Sequence, residues 1–363
     1  MKEAGTLSER YEVDVAIVGG GPGGTATAIW CARHGLRVML LEGQSFPRER
    51  PGETLHPGIE PLLEQLGVAR QVQEAGFLRH EGNWVQWEGD RHFVGFGKDE
   101  NGPWQGFQAW RADLDSILLD RAQALGVRVL QPVRARHLLV ESGRVVGVET
   151  SFGKLRSRFL VDAAGGRHWL ARQLGMDVVR YSPRLTAYYG YGEGSCPARD
   201  VAPAIVADDR GWTWTAKVRP YLYQWTRLSF TPQRLPPDWM PSEFAELAPK
   251  GRMRGADVTW RSLAKPAGRG YFTVGDAATV LDPSSSHGVL KAVMSGVMAA
   301  EAIVKVLQQG QSEDAIGREY CQWIDGWFGQ DLVRLREFYG SLPVPPEWVR
   351  SGVRTTKAQR TRS

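Results

Sequence analysis

The stretch from Val13 to Glu42 constrains this chain more than any other. Val13-Asp-Val-Ala-Ile-Val18 and Leu36-Arg-Val-Met-Leu-Leu41 are short apolar runs bounded by turn residues, the pattern of strands buried on both faces. Between them, Gly19-Gly-Gly-Pro-Gly-Gly24 predicts a tight turn and Thr25 to Gly35 a helix. Strand, glycine turn, helix and strand make a βαβ unit, so the rest of the chain must build on a parallel sheet. The spacing Gly19-x-Gly21-x-x-Gly24 has a physical reading. The first glycine permits the turn, the second lets backbone approach a pyrophosphate, and the third lets helix pack on sheet. Glu42 closes the second strand about 20 residues on, where a carboxylate can accept hydrogen bonds from ribose hydroxyls. The unit predicts a dinucleotide with its phosphates at a helix N-terminus.

The α/β pattern continues with interruptions. A helix is expected over Leu114 to Leu125, strands over Val127 to Leu130 and Ser157 to Asp162, and a hairpin over His137 to Glu149 with Gly143 at its turn. A short strand, Tyr271 to Val274, precedes Gly275-Asp276, and a long helix with small residues on one face runs from Gly288 to Leu307. Two stretches, Gly76 to Trp110 and Val178 to Lys265, lack helical periodicity and hold most of the 14 Trp. They read as strands of one separate sheet made from two insertions. One or two aromatic-sided helices follow Gly310.

Composition narrows the function classes. Three widely spaced cysteines (Cys31, Cys196, Cys321) form neither a disulfide framework nor a C-x-x-C centre, so a reduced compartment is expected and no metal site is. The first 14 residues are polar and charged and no apolar stretch is long enough to cross a bilayer, so the expectation is a cytoplasmic protein with no membrane partner. The net charge of +5 comes from a tail at residues 348–363 with five basic residues and no acid. The rest is neutral, which gives no support to a nucleic-acid partner.

Three later segments bear on which dinucleotide is bound. Trp110-Arg111-Ala-Asp-Leu-Asp115, Leu160-Val-Asp162-Ala-Ala-Gly165 with Leu170 and Arg172, and Gly275-Asp276-Ala-Ala followed by Asp282-Pro283 and Gly288 resemble the fingerprints of the flavoprotein monooxygenase superfamily, the p-hydroxybenzoate hydroxylase-like fold. The resemblance covers the chain to about residue 310, although Trp169 stands where a small residue is usual. It implies FAD as cofactor, with Arg111 near the flavin and Asp276 on the ribityl chain. It also implies an α/β fold (α+β, two domains): a Rossmann-like FAD-binding domain with an inserted antiparallel β-sheet substrate domain and C-terminal helices. The expected FAD domain comprises residues 8–75, 105–177 and 266–310, and the substrate sheet residues 76–104 and 178–265. Helices at 311–342 and a basic tail at 343–363 complete the expected division.

A finer likeness lies in Pro47-Arg48-Glu-Arg-Pro-Gly-Glu53-Thr-Leu-His-Pro57 and in Asp282-Pro283-Ser-Ser-Ser-His287-Gly288, which resemble the flavin-dependent halogenase branch. Trp212-x-Trp214 is similar to part of that branch's WxWxIP motif, but Ala216 and Lys217 replace its Ile and Pro. In tryptophan halogenases a Lys receives hypohalous acid and a Glu lies beside the halide. Alignment puts Arg79 near the Lys position and Ser285 at the Glu position. Phenol halogenases also lack the Glu but keep the Lys. A guanidinium is a poor nucleophile, which demotes halogenation to an alternative. The compact length, the Ser-x-His-Gly loop and the aromatic C-terminal helices also resemble flavoproteins that hydroxylate tryptophan side chains of a partner polypeptide in tryptophylquinone maturation.

From these resemblances the leading expectation is an FAD-dependent monooxygenase that hydroxylates an aromatic, an indole or peptidyl tryptophan, through a flavin C4a-hydroperoxide. Its partners would be O2, the substrate protein and, as one source of electrons, a separate flavin reductase. The alternatives are an indole or phenol halogenase, an alkene-saturating flavin reductase, and a non-catalytic maturation partner. His287 is the candidate proton donor or peroxide-orienting group, Arg79 a candidate for an acidic part of the substrate, and Trp212 and Trp214 candidates for aromatic stacking.

Overall fold

The computed structural model describes residues 12–350 except 88, 232–233 and 343; side chains at 285 and 350 are likewise outside it. Most of the expected basic tail therefore lies beyond the described residues.

The βαβ unit forms as the sequence requires. Val13–Val18 and Val38–Leu41 pair in parallel, and helix α1 (Pro22–Arg33) crosses between them. The helix begins three residues before its apolar run because Pro22 and the glycines form its first turn. Pro fits there because the N–H it lacks would have no partner inside the helix. Gly153–Asp162 lies on the other side of Val13–Val18, also parallel, and Tyr271–Thr273 adds beyond it. Arg128–Leu130 closes one edge, and the antiparallel hairpin Ala135–Glu141 and Arg144–Thr150 the other. The inner strands are almost wholly buried, with Val15, Leu40 and Val161 at or near zero exposure, as a covered parallel sheet demands.

Helix α2 (Arg111–Ala124) packs on α1, and α1 crosses α3 (Gly288–Gln309) closely. The crossing depends on two glycines. A Cβ on Gly296 would sit 2.3 Å from the Gly23 carbonyl, and the Thr27 hydroxyl donates to the Gly296 carbonyl at 3.1 Å. α4 (Glu313–Gly340) is one continuous helix, capped by the Ser312 hydroxyl.

The two Trp-rich stretches meet in one seven-stranded sheet. Its order is Ala248–Asp257, Thr186–Glu193, Leu222–Ser229, Gly211–Arg219, Ala204–Asp208, Gly82–Gln86 and His92–Gly95. All neighbours are antiparallel except Ala204–Asp208 with Gly82–Gln86, the junction of the two insertions. One face presents Trp212, Trp214, Ala216, Ile205 and Leu228 to Phe328, Leu332, Leu335 and Tyr339 of α4. The other buries Tyr223 and Trp225 under Phe244 and Leu247. Between the sheets, three turns and the loop at residues 42–57 face one another.

Candidate functional site: a dinucleotide cradle under an aromatic sheet

The glycines of the first turn differ in what surrounds them. Gly19 has a left-handed φ of +108°, and a Cβ there would lie 2.4 Å from the Ala163 carbonyl oxygen. A Cβ on Gly24 would lie 1.9 Å from the Gly19 oxygen. Around Gly21 only the Arg48 guanidinium comes close, at 3.7 Å. The outer glycines are thus closed by backbone and the middle one faces open space. Gly24 packs the helix against the ends of the sheet strands, where its Cβ would lie 3.0 Å from the Ala163 Cβ, while Gly23 faces Ala292 of α3. The N-terminus of α1 has no side-chain cap and no acid in its first turn, so its amides are available to an anion.

Glu42 is buried and accepts from Gly20 N–H at 2.8 Å and Gln44 N–H at 2.9 Å, so it shapes the turn as well as offering oxygen to a ribose. Arg48 reaches over the turn, 3.1 Å from Asp115 and 3.6 Å from Glu42. Its Nε is buried without a partner among the described residues. A cation with a free buried donor beside an uncapped helix N-terminus is what a pyrophosphate requires. Arg111 holds Asp115 through two hydrogen bonds of 3.0 Å and donates to the Pro51 carbonyl at 2.8 Å. These donors position the loop, and Arg111 also lies within electrostatic reach of Asp276.

Asp162 also acts on its own turn. Its two oxygens accept from Ala164 and Leu170 N–H, both at 2.9 Å, while burial pushes its carboxyl up to about 6. Gly165 takes a left-handed φ of +82° with nothing within 4 Å of a Cβ, so it faces open space. A network not anticipated from sequence locks this turn to the third. His168 Nδ1 bonds the Ala277 carbonyl at 2.9 Å, so its Nε2 accepts from Arg261 at 2.9 Å, and Arg261 also donates to the Gly166 carbonyl at 2.8 Å.

The third turn supplies Asp276. Its side chain is exposed, yet burial still raises its carboxyl, with Arg261, Arg111 and Lys291 opposing. The two observations agree if Asp276 lies at the floor of a deep cleft, reachable by solvent but ringed by protein. A free carboxylate there suits the hydroxyls of a sugar-like chain. Pro283 and Gly288, farther along the same loop, are also exposed. Together with the free Arg48 donor and the open Gly21, these residues fit FAD.

His287 immediately precedes α3 and does not cap it. Its ring meets His56 edge to face at 4.8 Å. Burial, then the neighbouring charges of Lys291 and His56, lowers it to about 4. It is neutral near pH 7, so it can orient a ligand by hydrogen bonding but is poorly placed to deliver a proton as imidazolium. Lys291, one turn into α3, pairs with Asp331 of α4 at 2.5 Å.

Arg79 does not join this group. Its guanidinium lies 3.9 Å from the Phe107 ring centre and donates to Glu60 at 2.9 Å and the Gln105 carbonyl at 3.1 Å. Strand alternation turns its neighbour inward instead. His80 is 3% exposed, with Nδ1 3.1 Å from the Gly82 carbonyl and Nε2 3.1 Å from the Gln108 amide, which in turn accepts from Thr54. A row of rings, His80, Phe96, His56 and His287, links that strand to the start of α3.

The stacking role expected for Trp212 and Trp214 is also corrected. Trp212 is 1% exposed and donates to the Tyr339 hydroxyl at 2.8 Å, while Trp214 is 7% exposed in the same α4-facing core. Packing against α4 leaves neither ring a free face. The sheet's tie to the cradle is Tyr191, whose hydroxyl donates at 2.6 Å to the buried Glu53. The PRxxxGE segment contained Glu53, but nothing in the sequence indicated its partner.

Comparison with known proteins supplies the chemical context. The FAD binding domain family matches residues 12–188. A tryptophan 2-halogenase of Chondromyces crocatus is 28% identical over 90% of this chain and 67% of its own length. The 1H-pyrrole-2-carbonyl-(peptidyl-carrier protein) brominase of Pseudoalteromonas luteoviolacea is 27% identical over 92% of this chain and 87% of its own. Among solved structures, the myxobacterial chondrochloren halogenase CndH superposes with a TM-score of 0.79 at 26% identity, covering 90% of this chain and 82% of that one. PqsL of Pseudomonas aeruginosa, described as a probable FAD-dependent monooxygenase, shares the fold at 17% identity, with a TM-score of 0.76 over 94% of this chain and 99% of its own. FAD is the cofactor these likenesses support, and the fold is that of these flavoproteins. The likenesses support halogenation over hydroxylation, and none of these relatives points to tryptophylquinone maturation.

Proposed function

We propose that this chain, which carries the FAD-binding domain of the flavin-dependent halogenase and FAD monooxygenase superfamily, is a halogenase of electron-rich aromatic rings such as indole, pyrrole or phenol. The observation that carries the proposal is likeness to two halogenases across nine-tenths of the chain, together with a cradle whose free groups match FAD. FAD, reduced by a partner reductase or a nicotinamide, supplies the electrons with which O2 converts halide to hypohalous acid.

The chain's own residues have three tasks in this reading. Arg48, Glu42 and Asp276 fix the cofactor. The neutral pair His56 and His287 offers hydrogen bonds to an uncharged acid without ionising it. The sheet above, tied down by Tyr191 and Glu53, excludes water from the ring to be modified. An electron-rich ring needs no strong base. Arg79, occupied by Glu60 and Phe107, has no chemical task here.

The test is turnover of the FAD-loaded protein with a flavin reductase, NADH, O2, bromide and a panel of free, peptidyl and carrier-bound indoles, pyrroles and phenols, read by mass spectrometry. A bromine isotope doublet on one substrate supports the proposal. A gain of one oxygen makes the chain the hydroxylase expected from its sequence, and a bound but unchanged peptide makes it a maturation partner.

A further inference from the structure

The loop that carries Asp276 and Gly288 to the cofactor also holds Asp282, a buried carboxylate surrounded by redox-active rings. Asp282 is 3% exposed and accepts from the Trp260 indole at 2.5 Å and the Tyr339 hydroxyl at 3.0 Å on the same oxygen. Tyr339 accepts in turn from the Trp212 indole at 2.8 Å. The rings of Trp260 and Tyr339 are 5.5 Å apart, and Trp348 stands 4.9 Å from the first and 5.9 Å from the second. Trp260, Tyr339 and Trp212 are sealed from solvent, whereas Trp348 is partly exposed. A row of oxidisable rings therefore runs from the cofactor loop to the surface, with a proton acceptor at its buried end.

We propose that Trp260, Tyr339 and Trp348 form a path for one-electron oxidation that carries damaging oxidising equivalents from the flavin site to the protein surface. Structural support alone would be met by Trp or Tyr hydrogen-bonded to any acceptor. The arrangement supplies more than that. Oxidation of a phenol expels its proton, and Tyr339 already donates to a carboxylate that can take it. Burial holds the Asp282 carboxyl above its ordinary range, so it accepts that proton readily.

The steps balance as follows. A halogen radical escaping the site takes one electron through Trp260 and leaves as halide. Tyr339 refills Trp260 by losing an electron and passing its proton to Asp282. Trp348 then gives Tyr339 an electron, and Asp282 returns the proton. The oxidised Trp348 is reduced by a small thiol in solution, which loses one electron and one proton to become a thiyl radical; the radicals from two such events combine as disulfide. This inference rests on FAD binding and, for its halogen oxidant, on the proposed halogenation, but not on which ring is the substrate.

The test uses the FAD-loaded protein without oxygen or substrate, in which a blue flash makes oxidised flavin a one-electron acceptor. Transient absorption should show bleaching of oxidised flavin together with a tryptophan radical and then a tyrosyl radical, with the tyrosyl step slowed in heavy water. Tyr339→Phe keeps the ring and should lose the tyrosyl signal. Trp348→Phe should leave the radical stranded on Tyr339, no longer quenched by added thiol. Trp323→Phe, on the opposite stretch of α4, should change nothing. Flavin absorbance after purification reports whether each variant retains FAD. A loaded wild type without an aromatic radical, or an unchanged tyrosyl signal in loaded Tyr339→Phe, overturns the path. Failure of the wild type to hold FAD overturns the cofactor assignment and the path with it.

Discussion

The cradle and the sheet above it are held by different kinds of interaction. In the cradle, backbone decides: at Gly19 and Gly24 of the first turn a Cβ would collide with backbone oxygen, and the buried charges Glu42, Arg48, Asp115 and Arg111 neutralise one another. In the sheet, side-chain volume decides: Trp212 and Trp214, with Trp260 beside them, fill the space against α4, and the N–H groups of Trp212 and Trp260 matter because burial would otherwise leave them unpaired. A region of the first kind is intolerant of a single added atom. A region of the second kind loses stability in proportion to volume removed, and its links to chemistry run through a few contacts such as Tyr191 with Glu53.

The largest effect is expected at Gly24→Ala. Its Cβ would sit 1.9 Å from the Gly19 backbone oxygen, so the cost should exceed the roughly 1–3 kcal/mol usual for overpacking. The protein should purify without flavin absorbance, and a yellow, fully loaded Gly24→Ala would break the contrast. Next comes Arg48→Met, which removes a cation from a buried network, a change that typically costs about 3–5 kcal/mol. FAD affinity by fluorescence titration should fall steeply while KM for the aromatic stays put at saturating FAD.

Trp212→Ala tests the sheet. A large cavity and the loss of one of the two hydrogen bonds at the Tyr339 hydroxyl should lower stability by about 3–5 kcal/mol in denaturant melts. Trp212→Phe should recover most of it with an unchanged substrate KM. A KM that rises with the fold intact would restore the stacking role.

Acid sensitivity sharpens the boundary between the regions, where His80 lies. Burial lowers His80 to about 4 from 6.5, so between those values the unfolded chain binds more protons than the folded one. The associated stability is complete above about pH 6.5 and falls by at most about 1.4 kcal/mol per unit as pH drops toward 4. Asp162, raised to about 6, opposes this over part of the window. The difference between wild type and His80→Gln isolates the histidine, and the variant should show the flatter acid limb. The smallest effect is expected at Arg79→Met. Its ion pair with Glu60 is half-exposed and worth roughly 0–1 kcal/mol, so turnover should hardly change.

The cradle was legible because its constraints are local. A glycine that must avoid its own turn, or an aspartate accepting from the next turn of backbone, leaves a short motif, and each fingerprint lies where the sequence placed it. What the sequence concealed were partners far apart in the chain. Nothing near Arg111 reveals that it also donates to the Pro51 carbonyl 60 residues away, or near Arg261 that it holds His168. Which of Arg79 and His80 turns inward depended on the register of Leu78–His80 against Gly106–Gln108, which no local pattern fixes. The tryptophans located the sheet correctly. The roles of Trp212 and Trp214 depended on α4, more than 100 residues downstream.

The central claim is most directly tested by a single turnover. The protein carrying reduced FAD is mixed with heavy-oxygen-labelled dioxygen, bromide and the aromatic substrate identified in the panel, and the product mass is read. The account predicts a bromine isotope pair and no heavy oxygen on the ring; heavy oxygen on the ring without bromine would contradict it.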